Sequence, residues 1–323
     1  MRLIVQLLSL LVRGTALMLG LAGSILALAS LGGALSPRLD ALTHAAPFWL
    51  GMGVGAVALG ALFARDAERW VIVALGVVAI SACGVMMLPE LRMAWRFKPE
   101  ATAPGDLKVI QFNVWHENYA PEESLEWLLA QNADVIVLVE GGGTAWPIAK
   151  RLRAAYPFTS CKARACEPTI FSRRKIIESG AVPKGLPGAW AVLEDPAGPF
   201  AVMGAHYVWP VPAGRQQKQS AMLVKAASKF DRRDLIITGD FNSTPWSFTL
   251  KRQDKALGLQ RLTRALPSWP SGQFSRVAAA PAPFLPIDHV YAGSAWRAVK
   301  VERGPAIGSD HRPIIVTLRR EAK

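Results

Sequence analysis

Three long apolar runs occupy roughly the first ninety residues and constrain the fold of this chain more than any other feature. They extend from about residue 14 to 35, from 47 to 64 and from 70 to 88. Each is close to the ~20 residues that a helix needs to cross the hydrocarbon core of a bilayer. Charged residues lie in the short breaks Arg38-Leu39-Asp40 and Arg65-Asp66-Ala67-Glu68-Arg69. The sequence therefore predicts a membrane domain over residues 1–98 with three transmembrane helices.

A signal peptide or a soluble core accounts less well for the apolar runs. A cleaved signal peptide would fit the first run, because Arg2 gives it a basic start and small residues follow it. It leaves the second and third runs unexplained. A buried soluble core would fit all three, but charges confined to the breaks are typical of loops between membrane spans.

The basic residues leave the orientation in the membrane almost balanced. A cytoplasmic N-terminus puts Arg2, Arg13, Arg65 and Arg69 inside, and the opposite topology also puts four basic residues inside. Because the first span usually dominates, Arg2 and Arg13 favour a cytoplasmic N-terminus, and three crossings then place the C-terminal domain outside the cytoplasm. We therefore expect a multi-pass protein of a bacterial inner (plasma) membrane with a periplasmic or otherwise extracytoplasmic C-terminal domain.

Cysteine spacing and net charge give weaker indications. Cys161 and Cys166 flank a basic loop segment and are close enough in sequence to form a disulfide in an oxidising compartment. Two unrelated thiols are the alternative. The formal net charge of +13 favours anionic partners, but it does not distinguish nucleic acid from membrane lipid. No protein partner can be inferred.

A linker over residues 99–105 separates the membrane domain from a C-terminal domain at 106–319. In this domain, segments typical of strands alternate with segments typical of helices. The predicted strands are 107–114, 134–139, 189–193, 200–205, 234–238, 287–291, 298–301 and 313–318. The predicted helices are 124–131, 144–155 and 215–230. The pattern indicates an α/β domain with a sizeable core.

Polar side chains suited to catalysis stand where the apolar strands stop. They are Asn113, Glu140, His206, Asp240 with Asn242, Asp288 with His289, and Asp310 with His311. Asp240 and Asn242 are two residues apart on one extended segment, so their side chains share a face. Charged groups at strand ends cost little if they converge on one open edge of a sheet. We therefore expect a convergent site for phosphoester hydrolysis with a divalent metal.

Six short motifs occur in order along the C-terminal domain. They are Phe112-Asn113-Val114, Val139-Glu140, Ala205-His206, Gly239-Asp240-Phe241-Asn242, Pro286-Ile287-Asp288-His289 and Gly308-Ser309-Asp310-His311. In content and order they resemble the endonuclease/exonuclease/phosphatase superfamily, which includes deoxyribonucleases, inositol polyphosphate 5-phosphatases and neutral sphingomyelinases. The resemblance covers roughly residues 106 to 319. It implies a four-layer α/β/β/α sandwich as the catalytic domain, preceded here by the three transmembrane helices.

The resemblance also implies a metal site. Asn113, Glu140 and Asp310 would hold Mg²⁺, with Mn²⁺ as an alternative, because hard oxygen ligands suit these ions.

The remaining motif residues would act in catalysis. By resemblance, His311 contacts the phosphate or serves as general base, and Asp288 orients it. Asp240 and Asn242 would position the attacking water, and His206 would donate to a phosphate oxygen or protonate the leaving group.

Several further polar and aromatic residues have both a structural and a functional interpretation. His116 and His289 are interpreted as structural, and Ser309 bonds either a neighbouring strand edge or the phosphate. Residues 208–217 are expected to form a lid, in which Trp209 stacks on a base or sugar or else packs on the loop prolines. The loop 261–286 is a second candidate rim.

The sequence thus favours a membrane-anchored, divalent-metal-dependent phosphoester hydrolase of the phosphodiesterase, nuclease or phosphatase type. One alternative is a lipid phosphoesterase of the sphingomyelinase or inositol phosphatase type. Across these two enzyme hypotheses, the expected phosphoester substrate is either nucleic acid or a phospholipid headgroup. A further alternative is a non-catalytic membrane sensor or scaffold that retains the fold.

Overall fold

Each of the three apolar runs forms a long helix. The computed structural model describes residues 2–161, 166–275, 278–279 and 281–321. Its helices α1 (Arg2–Leu31), α3 (Ala46–Phe63) and α4 (Asp66–Arg96) are long and apolar enough to cross a membrane. A short helix, α2 (Pro37–Thr43), occupies the first predicted break. Pro37 stands in its first turn. The backbone N–H groups there have no partner within the helix, so the missing N–H of proline costs nothing.

Glycines allow α3 and α4 to approach each other closely. A Cβ atom added at Gly53 would lie 2.9 Å from the carbonyl oxygen of Gly76, and one added at Gly76 would lie 2.7 Å from that of Gly53. Larger residues at these positions would push the helices apart, so the two glycines act as small residues do between membrane helices. Helix α1 begins at Arg2 rather than near residue 14, because the leucine-rich segment before residue 14 also favours a helix.

The chain packs as two units. One consists of Met1–Arg92 with Trp246–Phe248, and the other of Met93–Pro245 with Thr249–Lys323.

Two mixed six-stranded sheets form the framework of the second unit. In spatial order, the first sheet contains β11 (Trp296–Arg303), β12 (Ile314–Arg320), β1 (Leu107–Asn113), β2 (Val135–Val139), β4 (Thr169–Ser172) and β3 (Phe158–Thr159). The second contains β5 (Ile176–Ala181), β6 (Gly188–Leu193), β7 (Phe200–His206), β8 (Leu235–Asp240), β10 (Asp288–Ala292) and β9 (Gln260–Arg261). The pairs β1–β2 and β7–β8 are parallel.

Apolar side chains hold these layers together. Val109 and Val137 of the first sheet share one buried cluster with Val202 and Ile236 of the second. Helices α5 (Pro121–Ala130) and α6 (Trp146–Ala155) cover the outer face of the first sheet, and α7 (Arg215–Ala227) and α8 (Phe248–Leu257) cover that of the second. The resulting order of helix, sheet, sheet and helix confirms the predicted α/β/β/α sandwich.

All eight predicted strands are present, with ends shifted by at most a few residues. Helix α5 begins three residues before its predicted start, and α6 follows a 3-10 turn at Gly143–Ala145. The strands β3, β4, β5 and β9 and the helix α8 were not predicted.

The topology brings the polar strand ends to one edge of the sandwich. His206 at the end of β7 pairs in register with Asp240 at the end of β8, and Asp240 pairs with Asp288 at the start of β10. In the other sheet, Asn113 ends β1 beside the end of β2, and β12 runs antiparallel to β1. The residues just before β12, Asp310 and His311, therefore reach this same edge.

Candidate active site

Asp240 lies at the centre of the converged residues. The amide nitrogen Nδ2 of Asn113 donates to Asp240 Oδ2 at 3.0 Å and to Glu140 Oε1 at 3.0 Å. His206 Nε2 lies 3.8 Å and His311 Nε2 lies 3.6 Å from the same Asp240 oxygen. One carboxylate thus contacts groups from both sheets, and the predicted convergence is observed.

His311 is fixed by a buried pair. Its Nδ1 lies 2.8 Å from Asp288 Oδ2, and the other oxygen of Asp288 accepts a hydrogen bond from Gln111 Nε2 at 2.9 Å. Because Asp288 takes the Nδ1 side, Nε2 of His311 faces the centre of the site. Sequence reasoning missed Gln111. A buried amide inside an otherwise apolar strand was the available signal, since buried polar groups need partners.

His206 lies among three carboxylates. Besides Asp240, its Nε2 is 3.6 Å from Glu140 Oε1, and its Nδ1 is 3.4 Å from Glu167 Oε1. Glu167 was not predicted as a site residue. It lies two residues before β4, a strand that sequence reasoning also missed, so its place opposite the end of β2 could not be foreseen.

Glu167 also secures the backbone of Glu140. Its two carboxylate oxygens accept the Glu140 N–H at 2.8 and 2.9 Å. Glu140 has a φ of 58°, and Asn242 has a φ of 45°. Left-handed conformations are uncommon for residues other than glycine, and they concentrate at functional sites where surrounding contacts enforce them. The backbone at two candidate site residues is therefore held in a costly conformation.

Three buried oxygens of the site residues have no hydrogen-bond donor. They are Gln111 Oε1, Asn242 Oδ1 and Asp310 Oδ1, and none of them accepts a hydrogen bond from any part of the chain that the structure describes. The second oxygen of Asp310 accepts the indole N–H of Trp269 at 3.1 Å. Buried polar atoms are normally satisfied, so an unpaired oxygen indicates a missing partner such as an ion or a water.

The donor set fits a divalent cation. Two groups have ligand atoms within 4.8 Å of one another: Glu140 with His206 and Asp240, and Asp240 with Asp288 and His311. In both groups two carboxylates accompany one imidazole, and hard cations such as Mg²⁺ prefer such oxygen ligands. Asn113 contributes its N–H₂ to these carboxylates, while its Oδ1 accepts the Trp115 N–H at 2.9 Å.

The electrostatics of the site follow from the crowding of acids and imidazoles. Burial lowers the pKa of His206, but Glu167, Asp240 and Glu140 together raise it to about 9. Burial likewise opposes protonation of His311, but Asp288 and Asp240 raise its pKa to about 10. Burial raises the pKa of Asp240 to about 6, against the effect of the two imidazoles.

The pKa values of two further acids in the site, Glu140 and Asp310, shift in opposite directions. Burial favours the protonated form of Glu140, but hydrogen bonds from His116 and Asn113 lower its pKa overall. Burial raises the pKa of Asp310.

The structure also decides between a structural and a functional interpretation for three polar residues. His116 contacts the site after all, since its Nδ1 lies 2.9 Å from Glu140 Oε2. His289 is structural: it is buried between Thr263 and the carbonyl oxygen of Ser243. Ser309 takes the strand-edge alternative, because its hydroxyl donates to the Asn113 carbonyl oxygen at 2.7 Å.

Comparison with known proteins agrees with this geometry. Residues 110–311 match the model of the Endonuclease/Exonuclease/phosphatase family. Among solved structures, humanized TDP2 of D. rerio is 17% identical and aligns over 66% of this chain and 99% of its own, with a TM-score of 0.52. A beta toxin mutant from Staphylococcus aureus with bound magnesium ions is 14% identical over 68% and 100%, with a TM-score of 0.51. The human Nocturnin catalytic domain with a bound sulfate anion is 18% identical over 69% and 100%, with a TM-score of 0.51. At these identities the likeness is one of fold. No curated protein matches this chain.

Proposed function

Because the chain belongs to the endonuclease/exonuclease/phosphatase family, we propose that it is a divalent-metal-dependent phosphoester hydrolase anchored in a membrane by its N-terminal helices. The observation that carries the proposal is the arrangement around Asp240. Three buried oxygens without donors, several carboxylates and two oriented imidazoles meet at one edge of the sandwich. A structural role alone would not require this concentration of like charge.

Mg²⁺ is the ion that we propose, with Mn²⁺ as the alternative. Glu140 and Asp310 are the proposed anionic ligands, with Asn113 beside them. Glu140 belongs to one of the two groups of ligand atoms, and Asp310 has a buried oxygen without a donor. A bound divalent cation would stabilise the negative charge that develops on the phosphoryl group. A relative of the same fold has been solved with magnesium ions.

The chain's own residues account for the remaining steps of hydrolysis. Asp240 and Asn242 would hold the attacking water by hydrogen bonds, since both have side-chain oxygens at the centre of the site. His311, oriented by Asp288, would contact the phosphoryl oxygens or accept the proton of the water. His206 would donate to a phosphate oxygen or to the departing oxygen, and Glu167 holds its other ring nitrogen.

The test uses the full-length protein in detergent with bis(4-nitrophenyl) phosphate and added Mg²⁺ or Mn²⁺. We expect turnover that disappears with a chelator and falls at least ~100-fold in Asp240→Asn and in His311→Ala. Glu178→Gln, which changes an exposed carboxylate on β5, is the control and should leave the rate unchanged. Full activity in both site variants would refute the assignment. Binding of Mg²⁺ in calorimetry without hydrolysis of any phosphoester would instead identify a sensor or scaffold.

We further propose that the catalytic domain lies outside the cytoplasm of a bacterial cell, at the inner membrane. The disulfide between Cys161 and Cys166 supports this placement, because such bonds persist mainly in oxidising compartments. The basic residues of the first helix favour the same orientation.

A further inference from the structure

A groove lies between the start of α1 and the turn that joins α3 to α4. Residues between 5 and 13 of α1 line one side of it, and residues between 62 and 69 around the turn line the other. Its volume is about 770 Å³. We use the name arginine groove for this feature, because Arg13, Arg65 and Arg69 are among its lining residues.

The arginine groove forms because α1 extends beyond the end of α3. A Cβ atom added at Gly20 would lie 3.5 Å from the Cβ atom of Ala56. One added at Gly23 would lie 3.1 Å from that of Met52, so the two helices are antiparallel. At this register α3 ends near residue 13 of α1, and about three turns of α1 continue past it.

These additional turns of α1 give the arginine groove an apolar wall. Val5, Leu8 and Leu10 line the groove from this segment, and each of the three side chains is more than half exposed. Exposed apolar groups that adjoin one another mark a surface that another molecule covers. On a helix that is apolar enough to lie in a bilayer, acyl chains can cover it.

The opposite side of the arginine groove is basic. Arg13 is fixed there, since its Nη1 donates to Glu68 Oε2 at 2.7 Å. Arg69 is fixed as well, since its Nε donates to the carbonyl oxygen of Ala64 at 3.0 Å. Arg65 is exposed in the turn itself. Two of the three guanidinium groups are therefore held in place by the protein before any ligand binds.

The charge of Arg65 and Arg69 is not balanced within the arginine groove. Glu68 pairs with Arg13, and Asp66, the other acid near the turn, is not among the described residues that line the groove. Guanidinium groups bind phosphate groups through parallel hydrogen bonds, which makes arginine well suited to phosphate sites. The groove therefore places a surface for an anionic phosphate beside a surface for apolar chains.

The arginine groove also lies at the depth of lipid headgroups. Helices α3 and α4 are both apolar enough to cross a membrane, and the groove is at the ends that their turn joins. A helix that spans the hydrocarbon core has its ends among the headgroups. Basic side chains at this depth attract anionic lipids.

We propose that an anionic phospholipid binds in the arginine groove as a ligand that the protein does not cleave. Its phosphate contacts Arg65 and Arg69, and its acyl chains lie along Val5, Leu8 and Leu10. The lining residues all belong to the first unit, so the site is separate from the candidate active site and independent of the proposed hydrolase function.

Two other occupants match the arginine groove less well. Free phosphate shares the chemistry of the headgroup, but it leaves the apolar wall uncovered. A second copy of the chain could cover the wall with its own α1, but α1 contains no acidic residue that would balance the arginines. A phospholipid with a net negative charge satisfies both surfaces.

The experiment measures lipid binding to the full-length protein in detergent by native mass spectrometry. We expect phosphatidylglycerol to bind about tenfold more tightly than phosphatidylcholine, whose choline group carries a positive charge. The double variant Arg65→Gln/Arg69→Gln should lose this preference, and Arg65→Lys/Arg69→Lys should retain most of it because the charges remain. The matched control Arg92→Gln/Arg96→Gln removes two arginines at the same spacing from the other end of α4 and should keep the preference.

Several results would overturn the proposal. Equal affinity of the wild type for the two lipids is one, and a preference that survives Arg65→Gln/Arg69→Gln is another. An equal loss of the preference in the control variant would show a general effect of charge. If the glutamine double variant fails to fold, Arg65→Gln alone replaces it, with an expected loss of about fivefold, and no loss would contradict the site.

Two further measurements address the other occupants of the arginine groove. Inorganic phosphate should not displace phosphatidylglycerol at equal concentration, and displacement would identify a site for free anions instead. Leu7→Cys in phosphatidylglycerol proteoliposomes should give little disulfide between chains. A high yield of that cross-link would show that a second copy covers α1 and would overturn the lipid site.

Discussion

Glu167 shows how one residue can support several others in the site. Its carboxylate accepts the backbone N–H of Glu140 and lies beside Nδ1 of His206. Glu140 has a left-handed conformation, and the hydrogen bonds from its N–H to Glu167 help to hold the backbone there. Glu167 is therefore a positioning residue in the proposed reaction.

Glu167→Gln should lower kcat for bis(4-nitrophenyl) phosphate by about tenfold to a hundredfold, with KM changed much less. Glutamine keeps the size of the side chain but loses the charge that orients His206 and one of the two acceptor oxygens. Steady-state kinetics and thermal unfolding of the variant check this expectation. Glu178→Gln serves as the matched carboxylate control. An equal loss of kcat in the control, or none in Glu167→Gln, would contradict the role.

The sequence allowed the principal site residues to be predicted but not their partners. Asn113, Glu140, Asp240 and His311 follow or precede apolar strands, and this position alone indicates a shared edge. Glu167 and Gln111 act through contacts between strands that are distant in sequence. Such contacts depend on sheet order and register, which no local pattern encodes.

Among the unpredicted elements, β3, β5, β9 and α8 have a weak apolar signal. Strands β3 and β9 are two residues long, which is too short to show alternation. Strand β5 is at a sheet edge and largely exposed. Helix α8 buries Thr249, Leu250, Gln253 and Leu257, so polar residues occupy half of its inner face. Gln253 is accommodated there because it bonds the hydroxyls of Tyr207 and Tyr291.

The disulfide between β3 and β4 should stabilise the segment that carries Glu167. Cys161 and Cys166 are bonded directly before this residue. Closing so short a loop contributes about 2 kcal/mol in the chain-entropy model. The double variant Cys161→Ser/Cys166→Ser should therefore lower the Tm of the catalytic unit by several degrees.

Thermal unfolding with and without a reducing agent provides the check for this disulfide effect. Reductant should lower the Tm of the wild type to that of the double variant and leave the double variant unchanged. Identical Tm values in all four measurements would show that the bond is absent or has no effect on stability.

At the scale of the whole molecule, the sequence predicted both the three apolar helices and the α/β/β/α sandwich. The three helices follow from run length and the α/β pattern follows from periodicity, whereas the four-layer order was implied by the resemblance of the six motifs to a known family. The side of the membrane that the catalytic unit faces depends on a small difference in basic residues, so it needs an independent measurement.

A reporter that is active only outside the cytoplasm, fused at Lys323, should give a strong signal. Alkylation of freshly isolated membranes should label Cys161 and Cys166 only after reduction, because both are bonded in an oxidising compartment. The same reporter fused after the first span, near residue 36, should also be active if the N-terminus is cytoplasmic. A silent C-terminal fusion together with freely labelled thiols would place the domain in the cytoplasm instead.

The two sheets each hold part of the site, and hydrogen bonds join these parts across the sandwich. Asn113 reaches Asp240, and Gln111 and His311 both reach Asp288. A slip of one sheet over the other by less than an ångström would lengthen all three bonds at once. The valines and isoleucines between the sheets therefore set catalytic alignment as well as stability. Substitutions deep in that layer should impair turnover even though they touch neither metal nor substrate.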